Sequence, residues 1–182
     1  MSLGRKSGQT LAKQQGDRPI VSSEHLSQGA MPALSEYEFG LMIAFNGFSR
    51  WIVRCMSAAG QPGLSALDVL VLHSVHHRAR EKTLSDLSLV LNVDETHSIV
   101  YALKKLEARG LVKSGRRGKE KVVTITPKGA AACERYREYR EELLVATAKR
   151  LAIDAEEVSR LAALLRGLSG TYDQAARAAA AA

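Results

Sequence analysis

The chain has 182 residues, with 26 Lys plus Arg against 19 Asp plus Glu for a formal net charge of +7, 46% apolar and 25% charged residues, and two cysteines. That composition can bury a core, so it excludes wholesale disorder and a disulfide-stapled secreted scaffold, and fits one soluble domain with arms. No apolar run is long enough for a bilayer and no signal segment opens the chain, so the expected location is a reducing cytoplasm, with no membrane partner.

The charge is unevenly placed. Between Ser74 and Lys121 lie eleven Lys or Arg and six Asp or Glu, an excess of five that makes up most of the +7. A solvated basic face is the ordinary cause of such a stretch. Concentrated in this way, it is also the electrostatic footprint of a polyanion partner.

Residues 1–34 carry Gly, Ser, Gln, Lys and two prolines without an apolar period, and are expected to form a flexible basic arm. Ser35-x-x-Glu38 is a capping-box pattern that predicts a helix start. Leu41, Phe45, Phe48, Ile52 and Cys55 then recur at spacings of three and four, placing one helix over 35–60 that stops before Gly60-Gln61-Pro62-Gly63. At about 1.5 Å per residue it is long for a small domain, and its apolar stripe calls for a partner subunit.

Capping-box spacing recurs at Ser65-x-x-Asp68 and Thr83-x-x-Asp86, each followed by a helical apolar period: Leu67, Leu70, Val71 and Val75, then Leu84, Leu87 and Leu91. Asn92-Val93-Asp94 reads as a turn whose Asp caps a further helix at about 94–109, with Ile99, Leu103 and Leu106 inward and Gly110 as its stop. The opposite face presents Thr96, His97, Val100, Tyr101, Lys104 and Lys105. Hydrogen-bonding and apolar groups near the start, with cations beyond, are what a helix in the DNA major groove requires.

After Gly110, Leu111 to Lys113 and Lys121 to Thr126 read as two short strands, joined by Ser114-Gly115-Arg116-Arg117-Gly118-Lys119-Glu120, in which two glycines turn the chain and three cations crowd the tip. Helix, turn, helix and a basic hairpin at 113–126 make the winged-helix order, with the hairpin directed to the backbone or minor groove. Thr126-Pro127 opens a helix through Cys133, Tyr136, Leu143, Leu144 and Leu151. Asp154-x-x-Glu157 opens another whose Val158, Leu161, Leu165, Leu168 and Tyr172 form a heptad-like seam.

Leu84-Ser85-Asp86-Leu87, Leu106-Glu107-Ala108-Arg109-Gly110-Leu111-Val112 and Ile125-Thr126-Pro127-Lys128-Gly129 together resemble the MarR-type winged-helix regulators, from about Ser65 to Gly129. The resemblance implies flanking helices that build a symmetric dimer, a base-reading face at Thr96, His97, Ser98, Val100 and Tyr101, and a wing at Arg116, Arg117 and Lys119. Wings of this family usually carry an Asp-x-Arg brace; here Arg117 and Lys119 stand at those places, so that ion pair is expected to be lost. It also implies a small aromatic or amphipathic effector, its identity unknown, in a crevice that Phe48, Trp51, Met56 and Tyr136 would line. Core packing accounts for the same four residues.

The expectation is thus a mainly α fold with a small β-hairpin wing (α+β). A winged helix-turn-helix domain at 64–127 is flanked by an N-terminal dimerisation helix at 35–60, C-terminal dimerisation helices at 128–177 and a frayed tail at 178–182. The expected function is a sequence-selective, double-stranded DNA-binding transcription regulator acting as a homodimer, cytoplasmic and associated with the nucleoid. A winged-helix protein-interaction module and a non-specific architectural DNA-binding module stay open as alternatives. His73 and His77 share a metal-compatible spacing, but no neighbouring Cys, Asp or Glu completes a site, and packed or surface histidines beside Arg78 and Arg80 are the plainer reading. Cys55 and Cys133 read as core thiols, although some relatives use such residues as redox sensors. No phosphate loop, nucleophile elbow or paired carboxylate motif is present, so neither catalysis nor a cofactor is expected.

Overall fold

The computed structural model describes residues 19–182, so most of the predicted arm, 1–18, lies outside the described residues. Its remainder is not featureless. A single 3-10 turn forms at Glu24–Ser27, and helix α1 runs Pro32–Ala58, starting ahead of the predicted Ser35. Pro32 occupies the first turn, where its missing N–H costs nothing and its fixed φ suits a helix. Ser35 is therefore already inside the helix and does not cap it; its hydroxyl donates to the Leu26 carbonyl.

Both other capping boxes form. Helix α2, Ala66–His76, is closed by Ser65 and Asp68, and helix α3, Leu84–Leu91, by Thr83 and Asp86. The Thr83 amide, then its hydroxyl, hold the Asp86 carboxyl below the usual carboxylate range. Helix α4, Thr96–Ala108, starts differently from expectation: Asp94 does not cap it, and Glu95 stands at the N-cap without a side-chain cap bond. Only the Asp94 carbonyl takes part, accepting from the Thr96 amide at 3.0 Å.

A three-stranded antiparallel sheet has the order β1-β3-β2, with β1 at Lys82–Thr83, β2 at Val112–Arg117 and β3 at Glu120–Ile125. Strand β1, two residues long, has no sequence signature; its register, Lys82 opposite Val123 and Thr83 opposite Val122, arises from a segment distant in the chain. The hairpin is tighter than predicted. Arg117 pairs with Glu120, so the turn is Gly118-Lys119 alone and Gly115 lies within β2. Gly118 has φ of +63°, the positive value that a two-residue hairpin with glycine first requires.

Thr126 caps helix α5, Pro127–Tyr139, accepting from the Gly129 amide at 3.0 Å. A π-helical stretch, Arg140–Val145, and helix α6, Ala146–Arg150, extend the same run. Helix α7, Ala155–Ala180, is capped by Asp154 and reaches into the run read as a frayed tail, as the high helix propensity of alanine favours.

The core lies beneath the winged domain. Ile52, Cys55 and Met56 from the C-terminal half of α1 pack with Val69, Leu72 and Val75 of α2, Leu87, Ile99, Leu106, Leu111 and Val123, and Cys133 and Tyr136 of α5. Burying a side chain such as Leu or Ile contributes about 1.5–3 kcal/mol each. Elsewhere the flanking helices keep an apolar face in solvent: Met42, Ile43, Phe45 (62% exposed) and Phe48 on α1, and Val158, Leu161 (56%), Leu164 and Leu165 on α7. No helix among the described residues is long and apolar enough to cross a membrane.

Candidate nucleic-acid interface

Helix α4 is anchored by Ile99, Ala102 and Leu106, all buried, which fixes its outer face. Thr96, His97, Tyr101 (68% exposed) and Lys104 stand on that face, while Ser98 and Val100 are half-buried at its margins. The Lys104 ammonium sits 5.8 Å from the Tyr101 ring centroid, at the outer reach of a cation–π contact. Glu95, which motif reasoning passed over, lies 3.5 Å from His97 Nε2, and Ser98 Oγ donates to the same carboxylate oxygen at 3.5 Å.

Lys105 departs from the predicted set. It is turned toward α2, where its ammonium donates to Asp68 Oδ2 at 2.7 Å, and that Asp side chain is almost wholly buried. The adjacent lysines differ because successive helical residues point about 100° apart, so only Lys104 remains on the outer face. Other cations of the basic stretch are also engaged. Arg109 donates to the Pro62 carbonyl at 2.6 Å, and Lys82, buried in β1, donates to the His77 carbonyl at 2.9 Å.

The wing carries Arg116, Arg117 and Lys119, all exposed. Its bracing ion pair is replaced rather than lost: Arg117 Nη2 lies 3.0 Å from Glu120 Oε2 across the last rung of the hairpin. A second tie joins the wing to α4, where the Ser114 amide donates to Glu107 Oε1 at 3.0 Å. Neither Arg116, Lys119 nor Lys104 has an ion-pair partner among the described residues. A cavity of about 130 Å³ between α4 and the wing is lined by Leu84, Val100, Leu103 and Val123 together with Lys104, Glu107, Ser114 and Lys121.

The four residues assigned to an effector crevice differ in burial. Met56 is fully buried and Tyr136 nearly so, Trp51 is half-buried against the core, and Phe48 is exposed on α1. His73 is packed edge-on against Tyr136, with ring centroids 4.5 Å apart, while His77 lies beyond the end of α2 in an exposed 3-10 turn at His77–Ala79. Burial, and then the nearby His76, lower the His73 pKa. Both cysteines are buried; burial pushes the Cys133 thiol up to about 12 and also raises that of Cys55.

An exposed helix face that carries hydrogen-bonding groups and a lysine, beside a hairpin with a basic tip, is the working surface of a winged helix. Residues 64–129 match the family model of the winged helix DNA-binding domain. The chain therefore carries such a domain, and with its flanking helices it has the fold of the MarR family transcription regulators. A mutant MarR from E. coli complexed with operator DNA is similar at 22% identity and a TM-score of 0.61, over 78% of this chain and 99% of that one. A MarR family regulator from Neisseria meningitidis is similar at 18% identity and 0.60, over 79% and 95%. One from Rhodococcus sp. RHA1 is similar at 17% and 0.58, over 78% and 96%. No curated protein matches the sequence.

Proposed function

We propose that this chain is a MarR-type, sequence-selective transcription regulator that binds double-stranded DNA as a homodimer in the cytoplasm, on the nucleoid. The observation that carries the reading is the outer face of α4, with Thr96, His97, Tyr101 and Lys104 in solvent beside the cationic wing. In this reading α4 enters the major groove, where Thr96, His97, Ser98, Val100 and Tyr101 meet base edges and Lys104 meets phosphate. Arg116, Arg117 and Lys119 contact the backbone or the minor groove. Lys105 is left out, because Asp68 already holds it.

The apolar faces of α1 and α7 support the dimer. A second copy related by a two-fold axis would cover Phe45, Phe48, Leu161 and Leu165, which a lone chain leaves in water. Two recognition helices would then address half-sites roughly 34 Å apart. That an operator-bound MarR shares this fold is consistent with the reading.

The test is selection from a random duplex library at physiological salt. Enrichment of an inverted repeat with half-sites about one helical turn apart is the expected result. Retention without an enriched sequence would indicate backbone-only binding, and no retention would overturn the DNA reading. Arg116→Ala combined with Lys119→Ala, at the two wing cations without an ion-pair partner among the described residues, should weaken binding to all sequences and reduce the salt slope by about two units; an unchanged slope would remove the wing from the interface.

A further inference from the structure

Two points of attachment are needed to stop one rigid body pivoting on another. The first between the winged domain and the flanking helices is the packed base of α1 and α5, whose Ile52, Cys55, Met56, Cys133 and Tyr136 are part of the winged core. The second lies at the turn between α3 and α4. Asn92 ends α3 in the left-handed conformation, φ 50° and ψ 50°, and its side-chain amide donates to Ser169 Oγ at 3.2 Å and to Asp173 Oδ2 at 3.4 Å on α7. One residue before Asp173, the Tyr172 hydroxyl donates to Glu38 Oε1 of α1 at 3.2 Å. Ser169, Tyr172 and Asp173 lie at i, i+3 and i+4, so one face of α7 grips both α1 and the helix-turn-helix.

From this geometry we infer that Asn92 is a positioning residue for operator recognition: its bond to Ser169 and Asp173 sets the angle between the winged domain and the flanking helices. It thereby fixes the half-site spacing that a dimer accepts. The inference rests on the dimeric DNA-binding reading above. Asn92 stands four residues before Thr96, the first residue of α4, so a pivot at this turn moves the recognition helix directly. Nothing in the bond itself touches DNA, and losing it changes where the helix is held rather than what it reads.

The left-handed backbone makes the test clean. Asn92→Gly keeps a residue at ease with positive φ and removes only the amide that reaches α7. Duplexes carrying the selected half-sites with one or two base pairs added or removed would be titrated against the full chain and its variants. Each base pair displaces a half-site by about 3.4 Å and turns it by about 35°. The wild-type chain should lose about tenfold or more in affinity per shifted base pair, and N92G about threefold or less, with binding to a single half-site unchanged. Asp173→Asn, which keeps an acceptor, should retain the wild-type penalty, whereas Ser169→Ala combined with Asp173→Ala, which removes both acceptors of the Asn92 amide, should lose it.

A penalty in N92G equal to that of the wild type would overturn the inference. If N92G failed to fold by circular dichroism, Ser169→Ala combined with Asp173→Ala on α7 would answer the same question, and a wild-type penalty there would overturn it too. A wild-type chain that bound single half-sites but ignored spacing would refute the inference while sparing DNA binding. A wild-type chain that bound no DNA would refute the underlying reading, and the inference with it.

Discussion

Lys105 on α4 and Asp68 on α2 meet at 2.7 Å through an oxygen that also accepts the Ser65 amide at 2.7 Å. One buried carboxylate thus closes the start of α2 and holds the recognition helix against it. The neighbouring Lys104, about 100° further round the helix, is exposed.

The two lysines should separate cleanly on substitution. Lys105→Met removes a partner from a buried carboxylate and should cost about 1–3 kcal/mol, read as a lower urea midpoint at unchanged slope. It should leave the salt dependence of DNA binding alone. Lys104→Met should do the reverse, sparing stability and lowering the salt slope by about one unit.

Gly129 has no room for a side chain. A Cβ there would collide with the Leu111 carbonyl oxygen, which the Thr126 amide and hydroxyl hold in place, and would lie 2.7 Å from Ile125 Cδ1. Gly129→Ala should therefore cost about 3 kcal/mol or more, lowering Tm by roughly 6–12 °C. A melting curve superimposable on the wild type would show that α5 is free to move off the strand.

His73 makes the fold sensitive to acid. Its pKa is lowered in the folded chain by burial first and by His76 second, so the unfolded chain takes up the proton more readily. The full stability is present above the unfolded value of about 6.5. It declines as pH falls from there to the lowered folded value, because the unfolded state binds more protons in that window. His73→Phe, which keeps a ring against Tyr136, should flatten denaturant midpoints measured across this interval.

Neither thiol should react readily in the native chain. With the Cys133 thiol pushed up to about 12 from an ordinary 9.0, its thiolate is suppressed roughly a thousandfold, and burial acts on Cys55 in the same direction. A thiol reagent at pH 8 should label both only after unfolding. Fast labelling of the native protein would assign them a role outside the core.

Leu161→Lys with Leu165→Lys should leave the winged domain folded, since neither residue joins the core. In the dimeric reading the double variant sediments as a monomer and loses the inverted-repeat operator while keeping weak single-site binding. A variant that remained dimeric would move the interface elsewhere.

Much of this architecture is legible along the chain because its signals are local. A capping box needs only two residues three apart, as at Ser65 with Asp68 and Thr83 with Asp86. Thr126-Pro127 opens α5 by the same short-range logic. The same reasoning misplaced the start of α1, where Ser35 and Glu38 have the right spacing but Pro32 nucleates earlier, and Glu38 is used by Tyr172 instead. It also passed over Glu95 and Glu107, whose partners are defined by which way a helix faces.

By itself, then, the sequence determined the order of helices and hairpin, the inward stripe of α4 and the crowding of cations near the wing, because periodicity and capping act within a few residues. Only the tertiary structure decided which cations remain available. Lys105 and Asp68 are 37 residues apart, and Arg109 and Pro62 are 47 apart. It decided likewise that Lys82 and Thr83 form a third strand and that Asn92 reaches α7, across 77 residues to Ser169. A side chain's partner across such separations depends on how the helices pack around Leu72, Ile99 and Leu106, and that packing is a property of the whole core, written in no single stretch of the chain.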